Sequence, residues 1–243
     1  MLKILPKTLL LLLLLGPNLA NANWYYGLLT LKPANKYIGD DASPVLFPVI
    51  GYRSDTLLFT GKDLHYTVYS NDTVSLTTGL SARFDGFDEN DSPFFEGLDK
   101  RKNSLDFDAQ IQLKQNQWIY SAGLKQDLLS VHGGYELSSH IGYQINHFAP
   151  FFITAKVGAK YLSQDLSQYY YGVGENESSV FAPYNTDDGF GTQAKVLFFT
   201  PIFFNAMTRL ELSVNQYSRS LSESPLIDGD TSLSAMFMFL KPF

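Results

Sequence analysis

The chain of 243 residues contains no cysteine. That excludes a disulfide framework, a thiolate metal site and a lipid anchor on a leader-cleavage cysteine. Basic residues are also scarce: 18 Lys and Arg stand against 24 Asp and Glu, for a formal charge of -6. Nucleic-acid binding needs clustered Lys and Arg on phosphates, so the balance argues against that partner. Past residue 22, no stretch approaches the ~20 consecutive apolar residues of a membrane helix. If the mature chain resides in a membrane, it must do so as a closed sheet, because hydrocarbon offers no partner to a free backbone N–H or C=O.

The one long apolar run lies at the start. Lys3 and Lys7 precede an unbroken apolar stretch at 9–15, Gly16 and Pro17 end it, and Ala20-Asn21-Ala22 has the small-x-small pattern of a leader cleavage site. A run this short cannot cross ~30 Å of hydrocarbon at 1.5 Å per residue. Residues 1–22 are therefore expected to be a signal peptide, leaving 23–243 as one barrel domain.

What the chain has is alternation. In 208–215, Thr208, Leu210, Leu212 and Val214 interleave with Arg209, Glu211, Ser213 and Asn215. A strand sends successive side chains to opposite faces, so one face is oily and the other wet. The same dyad marks 74–84, 105–114, 118–127 (with Ile119 out of pattern), 135–146, 151–161, 204–215 and 232–240, and less regularly 190–199. These lengths suit the 9–11 residues of a tilted membrane strand. Aromatic residues, 15% of the chain, can supply two interfacial girdles.

Short turns at 70–73, 115–117, 147–150 and 200–202 alternate with long loops at 85–103, 164–189 and 218–231, apart from one short outer turn at 129–133. Outer-membrane barrels have short periplasmic turns and longer outer loops. Upstream, 24–31 reads as a strand apolar on both faces, and 45–52 as a strand carrying Pro48, which removes a ladder donor. The segment 56–69 is broken at Gly61-Lys62-Asp63. The fold expected is all-β: a transmembrane antiparallel up-and-down barrel in a Gram-negative outer membrane. Twelve strands are favoured if the break is real, and ten are the alternative.

The wet face includes Arg83, Asp106, Asp108, Lys114, Lys125, Asp127, Glu136, His140, Lys156, Lys160, Lys195, Arg209 and Glu211. Mixed signs suit an interior filled by paired charges better than a selective pore. Asp106, Asp108 and Glu136 invite comparison with catalytic carboxylates, and His65, His132, His140 or His147 could serve a nucleophile. No motif surrounds them, so no catalytic, cofactor or metal residue is assigned, no cofactor is expected, and the binding residues stay unknown. The loop 85–99 has Asp88, Asn90 and Ser92 at calcium-loop spacing, but Pro93 stands where that loop needs glycine. A solvated acidic outer loop is the expectation.

Several stretches in order resemble the MipA/OmpV family: Tyr37, Gly39, Asp40 and Asp41 with Pro44 and Pro48; Leu98-Asp99-Lys100-Arg101-Lys102; Tyr169-Tyr170-Tyr171-Gly172-Val173 with Glu177-Ser178 and Tyr184-Asn185; and Ser224-Pro225-Leu226-Ile227-Asp228. The ending departs from the family's aromatic-x-Phe, since Leu240-Lys241-Pro242-Phe243 places a proline without a backbone donor in the last strand. The resemblance implies an outer-membrane, non-enzymatic protein in contact with outer-membrane lipid and lipopolysaccharide. For the family's namesake it implies a scaffold joining a murein lytic transglycosylase to a bifunctional murein synthase. A small-solute channel or a surface adhesin is the alternative.

Overall fold

The computed structural model describes residues 23–32, 36–39, 43–146, 148–178, 180–203 and 206–243. The expected leader at 1–22, and Asp40, Asp41, His147 and Phe204, lie outside the described residues. Twelve strands form the wall: β1 (Asn23–Lys32), β2 (Val45–Arg53), β3 (Leu57–Phe59), β4 (Asp63–Ser70), β5 (Val74–Arg83), β6 (Ser104–Gln115), β7 (Trp118–Asp127), β8 (Tyr135–Ile145), β9 (Phe152–Leu162), β10 (Gly189–Thr200), β11 (Met207–Tyr217) and β12 (Thr231–Pro242). Each pairs antiparallel with its sequence neighbours, and β1 pairs with β12 to close the ring. Closure removes most of the sheet's edges, and this is how a sheet can satisfy its backbone in lipid; the outer part of β2 is the exception. The break that decides between ten and twelve is real. It spans residues 60–62, and Asp63, expected within it, instead opens β4.

The dyad holds in space. On β11, Leu212 is 49% exposed and turned outward, whereas Ser213 is buried. Ile119, which broke the alternation, occupies a lumen-facing position and is buried. The two-sided greasiness of β1 has a cause as well. Trp24 and Leu28 face outward, while Leu29 packs inside against Met238 and Leu240. One sector of the lumen, built by β1, β2 and β12, is thus apolar.

Aromatic pairs on the outer face mark the periplasmic ends: Trp24 with Tyr52 at 5.0 Å and Trp118 with Tyr143 at 5.1 Å between centroids. At the closing seam the chains come very close. A Cβ on Gly27 would fall 1.7 Å from the Phe239 carbonyl oxygen, so only glycine fits there. Pro242 does not spoil the seam: it lies opposite Tyr25, and Phe243 N donates to Trp24 O at 3.1 Å.

The outer loops are folded. The β9–β10 loop carries helix α1 (Gln164–Tyr171), and the β11–β12 loop carries the short α2 (Arg219–Ser222). In the β5–β6 loop, Pro93–Phe95 form a 3-10 turn capped by the Ser92 hydroxyl, which accepts from Phe94 N.

Candidate functional site

Arg83, near the outer end of β5, faces inward and is almost fully buried. Its guanidinium donates to three carboxylates from three parts of the chain: Asp106 at 2.8 Å, Glu136 at 3.0 Å and Asp85 at 3.1 Å. Lys160 lies 3.5 Å from the other oxygen of Glu136. Deeper in the barrel, Lys125 stands 3.7 Å from Asp108 and donates to the Ser81 hydroxyl, which donates to Asp63. Glu211 takes Arg209 at 2.6 Å and Lys195 at 3.5 Å. His140 meets Gln193, whose amide donates to Asn215. The predicted lumen set therefore faces one space by register, and most of it is paired, as buried charges must be.

Above this network sits a lid. The outer loops after β1, β5, β9 and β11 contribute to one apolar cluster that includes Tyr37, Phe95, Leu166, Tyr170, Leu221 and Leu226. The first three of these loops leave the ring about a third of a turn apart, so they can meet only by crossing the mouth. An isolated bridge between Tyr37 and Ile227 joins two of these loops, and the bridges Phe87 with Arg101 and Val173 with Tyr184 each close a loop on itself. Polar ties follow the same lines. Tyr37 Oη donates to Asp85 O at 2.8 Å and lies 3.2 Å from Tyr170 O. Arg101 donates to Gly172 O and pairs with Glu177 at 2.6 Å. Ser224 Oγ donates to Tyr171 O at 2.6 Å.

Lys36 joins lid to lumen. Its ammonium donates to Asp85 at 2.9 Å and lies about 5 Å from the ring centroids of Tyr37 and Tyr171. Burial opposes its charge, but Asp85 and the surrounding rings more than offset that and hold it well above the ordinary lysine range. Asp85 is pushed up by burial and drawn down further by Lys36 and Arg83, ending well below the usual carboxylate range.

Most of the family-like residues that the structure describes turn out to be lid parts, with Pro48 in the wall as the exception. Tyr37, Leu98, Arg101, Tyr170, Val173, Glu177, Tyr184 and Leu226 all bond or pack within it. Lys36, Asp63 and Asp85 escaped the predicted lumen set, and His65 entered the sequence reading only as a candidate catalytic histidine. Lys36 and Asp85 lie in outer loops, where alternation does not extend, and Asp63 and His65 lie in β4, where the expected break and weak alternation hid their face. A usable signal was present, because four outer stretches carried buried-type Tyr, Phe and Leu that a solvated loop has no reason to hold.

The acidic loop has two sides. Glu89, Asn90, Asp91, Glu96 and Asp99 face solvent as expected, with Asp88 taking Asn90 and Lys100 and Asp91 taking Asp88 N. Phe87 and Phe95 are buried beneath, so the same loop is also a wall of the lid, which the sequence reading missed. Asp106, Asp127 and His132 bring ligand-type atoms within 4.8 Å of one another, yet each is already engaged. Asp127 accepts the N–H groups of Leu129, His132 and Gly133. His132 Nδ1 accepts from Gly134 N, which leaves Nε2 to carry the proton 3.4 Å from Asp106. This is a knot that shapes the β7–β8 turn. Asp106 and Asp108, neighbours on one face, pair with different cations, Arg83 and Lys125.

A closed twelve-stranded antiparallel ring, oily outside and charge-paired within, is an outer-membrane β-barrel of a Gram-negative envelope. The model of the family described as MltA-interacting protein MipA matches residues 29–243, and the chain belongs to that family. It is 25% identical over 205 residues to the putative outer membrane protein YiaT of Escherichia coli K12, covering 82% of each chain. It is 25% identical over 135 residues to outer membrane protein OmpV of Vibrio cholerae, covering 53% of this chain and 51% of that one. Among solved structures, an outer membrane channel from Pseudomonas putida F1 is 8% identical, with 98% of this chain and 100% of that one covered and a TM-score of 0.43. That likeness is too slight to bear on function.

Proposed function

We propose that this barrel is a scaffold that joins a murein lytic transglycosylase to a bifunctional murein synthase in peptidoglycan assembly. The observation that carries the reading is the apolar surface of two periplasmic turns. Phe148 in the β8–β9 turn is 61% exposed, and Ile202 and Phe203 in the β10–β11 turn are also exposed. The turns belong to four consecutive strands of the wall, so they sit side by side. Clustered large apolar side chains at the centre of a patch are what a protein partner uses as anchors. The turns are smaller than the ~800 Å² per side of a typical stable interface. The neighbouring rim and the start of β1 complete the surface in this reading.

The family description, MltA-interacting protein, supports the same direction. The capped mouth supports it too, since an open channel for polar solutes fits a lid-covered, charge-paired lumen less well. The reading assigns the chain no reaction and no cofactor, and takes 1–22 as a leader removed after Ala22.

The test is a photoreactive residue at position 202 in intact cells, with position 129 in an outer turn as control. Adducts with both murein enzymes from 202 alone are expected. Capture of neither enzyme, or equal capture from the two positions, overturns the reading.

A further inference from the structure

The wall is not uniform. Most seams pair over eight or more positions, but β2 meets β3 at only two, Tyr52 with Phe59 and Arg53 with Leu58. β3 in turn meets β4 at three. From Val45 to Gly51, β2 has a partner on the β1 side and, among the described residues, none on the other. Across the break, β5 runs beyond its last β4 partner, Ser81, to Arg83. The break therefore lies in the outer half of the wall, above the β3–β4 turn.

A cavity of about 400 Å³ occupies this break. Its lining mixes the two faces of the sheet: Leu31, Phe47 and Val49 belong to the lumen side, and Pro48, Ile50 and Phe84 to the lipid side. One cavity can touch both faces of one strand only by passing round its edge. It adjoins a lumen cavity of about 450 Å³, with Leu31, Phe47, Lys62 and Phe84 lining both.

The open edge is chemically prepared. Ser54 N donates to Leu57 O, so by two-residue alternation the backbone groups of Pro48 point into the break. Proline has no N–H to leave bare there, and a strand docking on this edge would lack that donor. An invading β-strand is therefore poorly served, whereas an apolar molecule is well served.

Among the described residues, Lys62 is the one charged residue of the lining, and it sits on the floor. Below it the lumen holds Lys62, Lys156, Lys195 and Arg209 against Asp63 and Glu211, around a space of about 360 Å³. Asp63 also accepts the Ser81 hydroxyl at 2.8 Å, so it keeps a partner if Lys62 turns to a ligand.

We propose that the break between β2 and β5 is a lateral portal through which a small amphiphile, with an apolar body and a carboxylate head, passes between the bilayer and the lumen. The apolar lip takes the body, Lys62 receives the head, and the cation-rich lumen draws it inward. Among the described residues, the lid covers the mouth but leaves this flank free. The inference is independent of the scaffold reading.

The natural chain has no cysteine, so single thiols test it cleanly. Ile50→Cys at the lip and Leu212→Cys on the far wall are folded, reconstituted in vesicles, and then coupled to a bulky maleimide. Binding of a fluorescent polyene fatty acid and of its methyl ester is measured before and after coupling. Coupling after folding separates blockage from misfolding. Modification at 50 should weaken binding of the acid at least ~10-fold, and modification at 212 should leave it unchanged. Lys62→Gln should weaken the acid by a similar factor and the ester little. Acid binding that survives modification at 50, or falls equally at 212, overturns the portal. An ester bound as tightly as the acid by the unmodified protein overturns the assignment of a carboxylate head.

Discussion

The lid and the β2–β3–β4 flank are both irregular parts of one barrel, and they are built in opposite ways. The lid gathers residues as far apart as Tyr37 and Leu226 and gives them rings, bridges and a buried cation. The flank is local in sequence, yet it holds its neighbours by five paired positions across two seams. The contrast teaches that order here does not track regular secondary structure. A loop assembly has the density of a folded core, while part of the membrane wall is thin. Cross-linking by many long-range contacts makes a surface rigid, and a short strand with few partners opens at low free energy.

The largest effect is expected from breaking the lid's anchor. Arg83→Met leaves Asp85, Asp106 and Glu136 without their shared cation, and removing one partner of a buried ion pair costs ~3–5 kcal/mol. The midpoint of the heat-induced gel-mobility shift of the folded barrel should fall clearly, and amides of the β5–β6 loop should lose protection. An unchanged midpoint would mean that the network merely fills space. A smaller effect is expected from Tyr37→Phe. It removes a hydroxyl that donates to Asp85 O and reaches Tyr170 O, at a cost of ~1–3 kcal/mol for leaving a buried acceptor unpaired. Lid amides should exchange faster while the amides of β10 and β11 stay as they were. Equal acceleration everywhere would show that lid and wall are one cooperative unit.

The barrel was readable in advance because membrane strands repeat every two residues. The segment 118–127 matches β7 residue for residue, and 105–114 falls one residue short of β6 at each end. The lid was not readable in the same way. Tyr37 and Tyr170 touch across 133 residues, and contacts between loops leave no period. Its raw material was visible all the same, as family-like motifs concentrated outside the strands. The thin flank was hidden for another reason. Leu57-Leu58-Phe59 looks like any strand fragment, and composition does not reveal how many partners a strand finds. Pro48 was the local clue, since a proline within a paired wall must have a side that needs no donor.

The smallest effect concerns pH. Asp85 has its folded-state ionisation drawn below the ordinary 3.8, so the stability it adds is full above that value and is lost as pH falls toward the lowered one. Lys36 is raised above its ordinary 10.5, so its contribution is full below that value and fades only at still higher pH. Between pH 5 and pH 9 both signs leave the pair charged. Lid protection, corrected for the intrinsic exchange rate, should therefore be flat across that window. A step inside the window would show that another group controls the lid.

Amide hydrogen exchange of the folded barrel in lipid, read residue by residue, compares the two regions directly. Phe87, Arg101, Val173 and Tyr184 donate their N–H groups across the lid bridges, and they should be protected to the level of β10 and β11. Leu46 and Ile50, on the unpaired side of β2, should exchange faster by several orders of magnitude. Fast exchange throughout the lid together with a protected Leu46 and Ile50 would contradict the account.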